Sequence, residues 1–276
     1  MRTIVRVSSF LVALGAACGA WAQTPISLTI SGNQAQGTIS LPGGIAADLT
    51  ITFENPTGLT AAALEATAEV VNPLDAALLA RMPADTSIPS EFPVLVHIGP
   101  SASSPLTFSS VATVALHTAN LEYDTDAPCA LLKAHDGGSF IDIITWDGSG
   151  SYRVIGSGGD FSEFLIVHDA RAIDDVILGK FDALQATLTA HAAELPLLVA
   201  TTLQLRLSAA RTLYLAGSLL PALNKLTTFT AYVVAHTGSD IPGTWEADDP
   251  GQINVAGLLR SAADTLKFSI DRKAGL

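Results

Sequence analysis

Acidic side chains in predicted loops are the residues of this chain whose types and spacing come closest to a binding chemistry. Asp124 and Asp126 precede Pro128, and Asp136 opens the turn Asp136-Gly137-Gly138. Calcium is held by several carboxylate and carbonyl oxygens on flexible loops, so we expect Asp124, Asp126 and Asp136 to be the residues that would bind it. The alternative is that each carboxylate caps its own turn, because the sequence holds no EF-hand loop and no calcium-binding nonapeptide repeat.

Trp245 is the aromatic residue best placed in the sequence to contact a ligand. It lies between Gly243 and Asp248 in a predicted loop. Its large ring could stack on a sugar there, whereas Trp146 ends an apolar strand and is expected to be buried. A carbohydrate-binding protein would use Trp245, and a calcium-binding protein would use the acidic loops.

Histidines and serines supply residue types found in hydrolases, but their spacing favours other roles. His135 and His168 each precede an aspartate at a predicted strand end, and a hydrolase using one of them with a loop carboxylate is the enzyme alternative. The glycines beside Ser149 and Ser157 are typical of hairpin turns, not of the nucleophile elbow G-x-S-x-G. The six histidines form no H-x-x-x-H pair. We therefore expect no catalytic residues and no cofactor other than calcium.

The N-terminal segment has the pattern of a Sec signal peptide. Two arginines precede an apolar run from Phe10 to Ala17, which closes on the small residues of Ala20-Trp21-Ala22. Cleavage after Ala22 would make the protein periplasmic or secreted. The alternative is a lipoprotein cleaved before Cys18, because small residues precede that cysteine as well. Once Cys18 is removed, Cys129 has no partner within the chain, and its apolar surroundings predict a buried, inert thiol over a catalytic or intermolecular one.

Charge and hydropathy exclude two classes of partner. The chain has a net charge of −12 and its cations are dispersed, whereas nucleic-acid binding needs a clustered basic face. Hydrophobic residues make up 49% of the chain, and the best candidate for a membrane span runs from Leu195 to Leu220. Arg206 and Arg211 near its middle would each cost about 2.5 to 3.5 kcal/mol in a bilayer, so we expect a buried helix and no transmembrane span.

The chain has two parts that differ in the spacing of their apolar residues, and these parts must position the candidate residues. From Pro25 to about Asp169, apolar residues alternate in short strands between turn residues, as in an antiparallel β-sandwich of immunoglobulin-like (Ig-like) type. After Asp169 they recur every three and four residues, as in a bundle of helices. We therefore expect an α+β protein of two domains. The expected order is a signal peptide over 1–22, an Ig-like β-sandwich over 23–169 and an α-helical bundle over 170–276.

The order of apolar features in the helical half supports a family resemblance. Its elements are Phe181-x-x-Leu184, Leu203-x-x-x-Leu207, a third apolar helix leading to His236-x-Gly238-x-x-Ile241-Pro242, and a closing Leu258-Leu259-x-x-Ala262. This order resembles the FIMAH domain, a helical module of secreted bacterial proteins. The β half, through Gly150-x-Tyr152-x-Val154 and Phe161-Ser162-x-Phe164, is similar to Ig-like modules of bacterial surface proteins. The resemblance implies a non-catalytic protein that acts through protein or cell-surface contacts.

Overall fold

The computed structural model describes residues 23–124, 128–135, 137–249 and 251–276. The predicted signal peptide with Cys18, and the predicted calcium ligands Asp126 and Asp136, lie outside these residues. Within the described ranges the chain forms fifteen strands, six α-helices and one 3-10 helix at Ala192–Glu194. The first eight strands are β1 (Thr24–Pro25), β2 (Leu28–Ser31), β3 (Gln34–Leu41), β4 (Ile45–Phe53), β5 (Ala66–Val70), β6 (Thr86–Ser87), β7 (Val94–Ile98) and β8 (Thr107–Ser109).

The other elements of the described ranges are seven later strands and six α-helices. The later strands are β9 (Ala112–Glu122), β10 (Cys129–Ala134), β11 (Ile141–Asp142), β12 (Ile144–Gly148), β13 (Ser151–Gly158), β14 (Glu163–Asp169) and β15 (Thr244–Glu246). The α-helices are α1 (Ala61–Leu64), α2 (Ala76–Leu79), α3 (Ile173–Ala190), α4 (Leu197–Leu215), α5 (Leu219–His236) and α6 (Val255–Ala274).

Two large antiparallel sheets share an apolar core. One sheet has the strand order β1-β5-β7-β14-β10-β11, with β6 also paired to β14, and the other has the order β12-β13-β9-β4-β3-β2. In β4, Leu49 and Ile51 are buried while the threonines between and beyond them are partly exposed, as expected for a strand with one dry face. Leu49 and Ile51 of one sheet lie in the same buried cluster as Val96 and Phe164 of the other.

The central strands of the seven-stranded sheet are buried on both faces. Leu131 of β10 lies in the core between the two large sheets, whereas Leu132 lies in a second cluster on the opposite face with Leu165 and Val167 of β14. A strand buried on both sides reads as a continuous apolar run, which is why β10 and β14 show little alternation. Lys133 interrupts the run in β10, and it too is buried.

Helices α3 to α6 bury their apolar faces against one another. Leu203, Leu207 and Ala210 of α4 lie in the core that these helices share. The buried segment from Leu195 to Leu220 is divided between two helices, because α4 ends at Leu215 and Gly217 has a positive φ of 75° before α5 begins. None of the helices in the described ranges has the length and apolar character needed to cross a membrane.

The predicted fold class, an Ig-like sandwich followed by a separate helical bundle, is wrong. The described chain has three sheets, and the short helices α1 and α2 lie among the early strands. Strand β15, which follows α5, pairs with β8 of the N-terminal half and forms the third sheet. Helix α6 packs on β12 and β13. The fold is therefore a mixed α+β arrangement in which late segments of the chain pair with earlier strands or pack on them.

Asn254 shows how closely α6 is joined to the strands. Its side-chain oxygen accepts from Gly257 N at 2.9 Å and caps the helix, while its Nδ2 donates to the carbonyl oxygens of Ser110 and Gly159 at 2.6 and 3.0 Å. Gly159 has no room for a side chain, because a Cβ there would lie 2.7 Å from Leu258 N. This backbone contact fixes α6 beside the end of β13 and creates the cleft described next.

Candidate functional site

A cleft of about 270 Å³ lies where the two large sheets meet helices α3 and α6, and we call it the interface cleft. Its apolar lining includes Phe140, Ile141, Ile143, Val176 and Leu258. Its polar lining includes Lys133, Asp142, Ser157, Arg171 and Lys180. Apolar walls with a few converging polar groups are typical of small-molecule sites.

Lys133 places an amine on the inner wall of the interface cleft. It shares the face of β10 with Cys129 and Leu131, so it points between the two sheets, where its side chain is only 6% exposed. Its Nζ contacts the carboxylate of Asp160, which is more exposed to solvent. Burial lowers the pKa of Lys133 to about 7, and the contact with the Asp160 carboxylate opposes that shift.

A second buried lysine, Lys180, forms the polar end of the interface cleft. Its Nζ lies 2.9 Å from Asp142 Oδ2 and donates to Thr265 Oγ1 and Ser269 Oγ of α6 at 2.7 and 2.9 Å. Burial lowers the pKa of Lys180, and the Asp142 carboxylate opposes that shift. Arg171 also contacts Asp142, at 3.3 Å. Lys180 joins α3, α6 and β11 through these contacts. Because all three of its donor directions are used, Lys180 has no donor left for a ligand.

Ser157 contributes a hydroxyl whose hydrogen-bonding capacity is unused. Its Oγ is buried and has no partner among the described residues. An unsatisfied buried hydroxyl costs about 1 to 3 kcal/mol, so it is a natural partner for a ligand atom or a water. Ser157 was expected in a hairpin turn, but it lies inside β13. Ser149, in contrast, does lie in the turn between β12 and β13.

Gly179 stands at the mouth of the interface cleft, in the interior of α3. Glycine in a helix interior costs about 1 kcal/mol relative to alanine. A Cβ at this position would meet no heavy atom within 4 Å, so no close packing requires a glycine there. The missing side chain keeps the mouth open, since Gly179 lines it together with Ala183 on the next turn.

The sequence patterns above do not single out Lys133, Lys180 or Gly179. Each of them nevertheless breaks a pattern. Lys133 takes a position of β10 with the parity of apolar residues, Lys180 lies within the apolar stripe of α3, and Gly179 interrupts a run of helix formers. In the sequence, a polar residue at a position where the pattern predicts a core residue is the feature that could have indicated this cleft.

The structure does not bring the predicted calcium ligands together within its described part. Asp124 is exposed and follows β9, whereas Asp126 and Asp136 lie outside the described residues. Among the residues that are described, no three His, Cys, Asp or Glu side chains converge as a metal ion requires. Calcium binding by Asp124, Asp126 and Asp136 stays a prediction.

Trp245 lines a second cleft of about 270 Å³, which we call the tryptophan cleft, with His97, His135, Glu246 and Asp249. Trp245 was expected in a loop, but it lies in β15, where it pairs with Phe108. Its ring is half-buried and packs on those of Phe108 and Phe161 at centroid distances of 5.3 and 5.4 Å. Aromatic packing therefore accounts for most of its ring surface.

The two candidate histidines lie at opposite ends of β10. His168 pairs with Cys129 at its first residue, and His135 follows its last, so they are separated by roughly 20 Å along the strand. His135 Nδ1 donates to the carbonyl oxygen of Phe161 at 3.1 Å, and His168 Nδ1 lies 3.4 Å from Cys129 Sγ.

The contact between His168 and Cys129 is not that of an activated nucleophile. Burial raises the pKa of the Cys129 thiol to about 12, so the thiol stays protonated at neutral pH. The expectation that Cys129 is buried is confirmed.

Comparison with known proteins gives a family and no function. A family model described as "Family of unknown function (DUF6689)" matches residues 10–274. The chain belongs to this family. A search of curated proteins found no match.

Proposed function

We propose that this member of DUF6689 is an extracytoplasmic, non-catalytic binding protein that takes a small, largely apolar molecule in the interface cleft. The observation that carries the proposal is the cleft itself, with apolar walls and a buried hydroxyl at Ser157 that has no partner among the residues the structure describes. The predicted signal peptide supports the extracytoplasmic location.

The lining of the interface cleft favours an apolar molecule with one polar group. Phe140, Ile141 and Leu258 offer aromatic and aliphatic surface, and covering such surface stabilises a complex by about 25 cal/mol per Å². The polar group of the ligand would meet Ser157 or Lys133, because the cluster around Lys180 is already satisfied internally. The volume lies near the lower limit of small-molecule sites, which favours a ligand of about a dozen heavy atoms or fewer.

This proposal refines the function expected from the sequence. Non-catalytic action is retained, and the partner becomes a small molecule. A protein or cell-surface partner stays the alternative.

Isothermal calorimetry with 1-hexanol tests the proposal. Binding to the mature chain should be measurable and should show a negative heat-capacity change, because apolar surface is buried. Gly179→Leu should abolish it by filling the mouth of the cleft, and should leave folding intact because nothing lies near a Cβ there.

Ala186→Leu is the matched control, since this alanine is exposed on α3 and does not line the interface cleft. It should bind 1-hexanol as the parent does. Equal binding by Gly179→Leu and the parent would place the ligand elsewhere and sink the proposal.

A carbohydrate-binding function at the tryptophan cleft is the second candidate. The observation that favours it is the combination of one half-buried indole with hydrogen-bonding groups at His97, Glu246 and Asp249. Glycan-array binding that disappears in Asp249→Ala, with 1-hexanol binding unchanged, would support it. A glycan array without any binding signal would exclude this second function.

A further inference from the structure

We propose that Lys133 captures an aldehyde or ketone group of the bound molecule as a covalent imine. This inference rests on the proposed function, and it names the chemical class of the ligand. The geometry that carries it is an amine on the inner wall of an apolar cleft, in direct contact with a carboxylate.

The absence of a side chain at Gly158 leaves room for the amine of Lys133. Gly158 faces it across the gap between the sheets, and a Cβ at residue 158 would lie 3.1 Å from Nζ. Any larger residue at position 158 would therefore press on the amine. Asp160 contacts Nζ directly, and His135 Nδ1 lies 3.5 Å from the other oxygen of the same carboxylate. Ser157, next to Gly158 in the same strand, also lines the interface cleft, and because successive side chains of a strand point to opposite faces, its Oγ lies on the face of β13 away from the amine.

The protonation state of Lys133 suits nucleophilic attack. Only an uncharged amine adds to a carbonyl, and burial lowers the pKa of Lys133 to about 7. Lys180 is buried as well, but its Nζ is directed to Asp142, Thr265 and Ser269. Lys133 is therefore the amine in this cleft that is both desolvated and contacted by a single carboxylate.

Asp160 is placed to move the protons that imine formation requires. Lys133 Nζ adds to the carbonyl carbon and forms the C–N bond, while a proton passes from nitrogen through Asp160 to the carbonyl oxygen. The resulting carbinolamine still holds one proton on nitrogen. Asp160 accepts that proton and passes it to the hydroxyl, which leaves as water as the C–O bond breaks and the nitrogen electron pair forms the C=N bond. The product is the imine and one water, so the step needs no oxidant or reductant.

Reductive trapping tests this inference. The folded protein is incubated at pH 7 with hexanal and cyanoborohydride, and modified residues are located by peptide mass spectrometry. Lys133 should carry the hexyl group at least tenfold faster than Lys225, which is exposed on α5. Lys133→Arg keeps a cation beside Asp160 and should lose this fast modification, whereas Lys225→Arg should keep it.

Two further variants keep the test decisive if Lys133→Arg folds poorly. Gly179→Leu should abolish trapping at Lys133 by closing the mouth, and Asp160→Asn should slow it severalfold. Uniform modification of all lysines, or an unchanged rate in Asp160→Asn, would overturn the inference. If 1-hexanol binds but hexanal is not trapped at Lys133, the imine is excluded and the binding function stands. If neither binds in the cleft, both fail.

Discussion

Replacing Lys133 by methionine should change how the stability of the protein depends on pH. The Lys133 side chain is almost completely buried, and burial lowers its pKa from 10.5 to about 7. Between these two values the unfolded chain holds a proton on Lys133 that the folded chain has released. The free energy of unfolding should therefore rise with pH across this window, and the burial penalty should be largest at and below about pH 7.

The magnitude follows from the width of the window. For one titrating group, the free energy of unfolding changes by at most about 1.4 kcal/mol per pH unit. Over the interval between the two pKa values of Lys133, the change is therefore at most about 5 kcal/mol. Methionine has a similar length and no charge, so Lys133→Met should be more stable than the parent near pH 7. That advantage should shrink by up to about 1.4 kcal/mol per pH unit as the pH rises. The contact with Asp160 favours the charged form of Lys133, so the measured difference in stability should be smaller than this upper bound.

Urea unfolding at a series of pH values measures this difference directly. Lys225→Met is the control, because Lys225 is exposed and its replacement should leave the pH dependence unchanged. Parallel stability curves for the parent and Lys133→Met would refute the reasoning, since they would show that Lys133 remains charged in the folded protein throughout the window.

Two further predictions concern the helices and are checked by the same urea unfolding. Leu207→Asp should cost about 4 kcal/mol or more, because Leu207 is 2% exposed, whereas Leu205→Asp on the same helix should change stability by about 0.5 kcal/mol or less, because Leu205 is 66% exposed. Similar losses in both variants would contradict the assignment of buried and exposed faces of α4. Asn254→Ala should cost about 2 to 4 kcal/mol, because it leaves the buried carbonyls of Ser110 and Gly159 without their donor. A loss below about 1 kcal/mol would show that water replaces the amide.

Local patterns predicted the type of many elements correctly. The alternation through Leu49, Ile51 and Phe53 predicted a strand, and these residues lie in β4 with buried side chains. The spacing of Phe181, Leu184 and Leu188 predicted a helix, and all three lie on the buried face of α3. Such predictions succeed because the period of an element is set by its own backbone geometry.

The arrangement of the elements was not predictable in the same way. Strand β15 has three residues, which is too short for a periodicity, and its partner β8 lies far away in the sequence. Trp245 therefore read as a loop residue, although long-range pairing makes it part of a sheet. Pairing between distant segments depends on the whole packed chain, which is also why the predicted separation into an Ig-like sandwich and a bundle is wrong.

The interface cleft escaped prediction for a related reason. Lys133 and Gly179 are unremarkable residue types, and their meaning depends on the neighbours that surround them in the fold. Lys133 becomes a candidate only because β10 is covered on both faces, and Gly179 only because it borders the same cleft as residues of β10 and β13.

A titration with 1-hexanol, monitored by the chemical shifts of the backbone amides in NMR spectra, tests whether the interface cleft binds a small apolar molecule. The largest shifts should fall on Ser157, Gly179 and Leu258, which lie far apart in the sequence and meet only in this cleft. Saturable shifts confined to these residues and their neighbours are the predicted result. Shifts centred on the tryptophan cleft, or a spectrum that does not change at millimolar 1-hexanol, would contradict the claim.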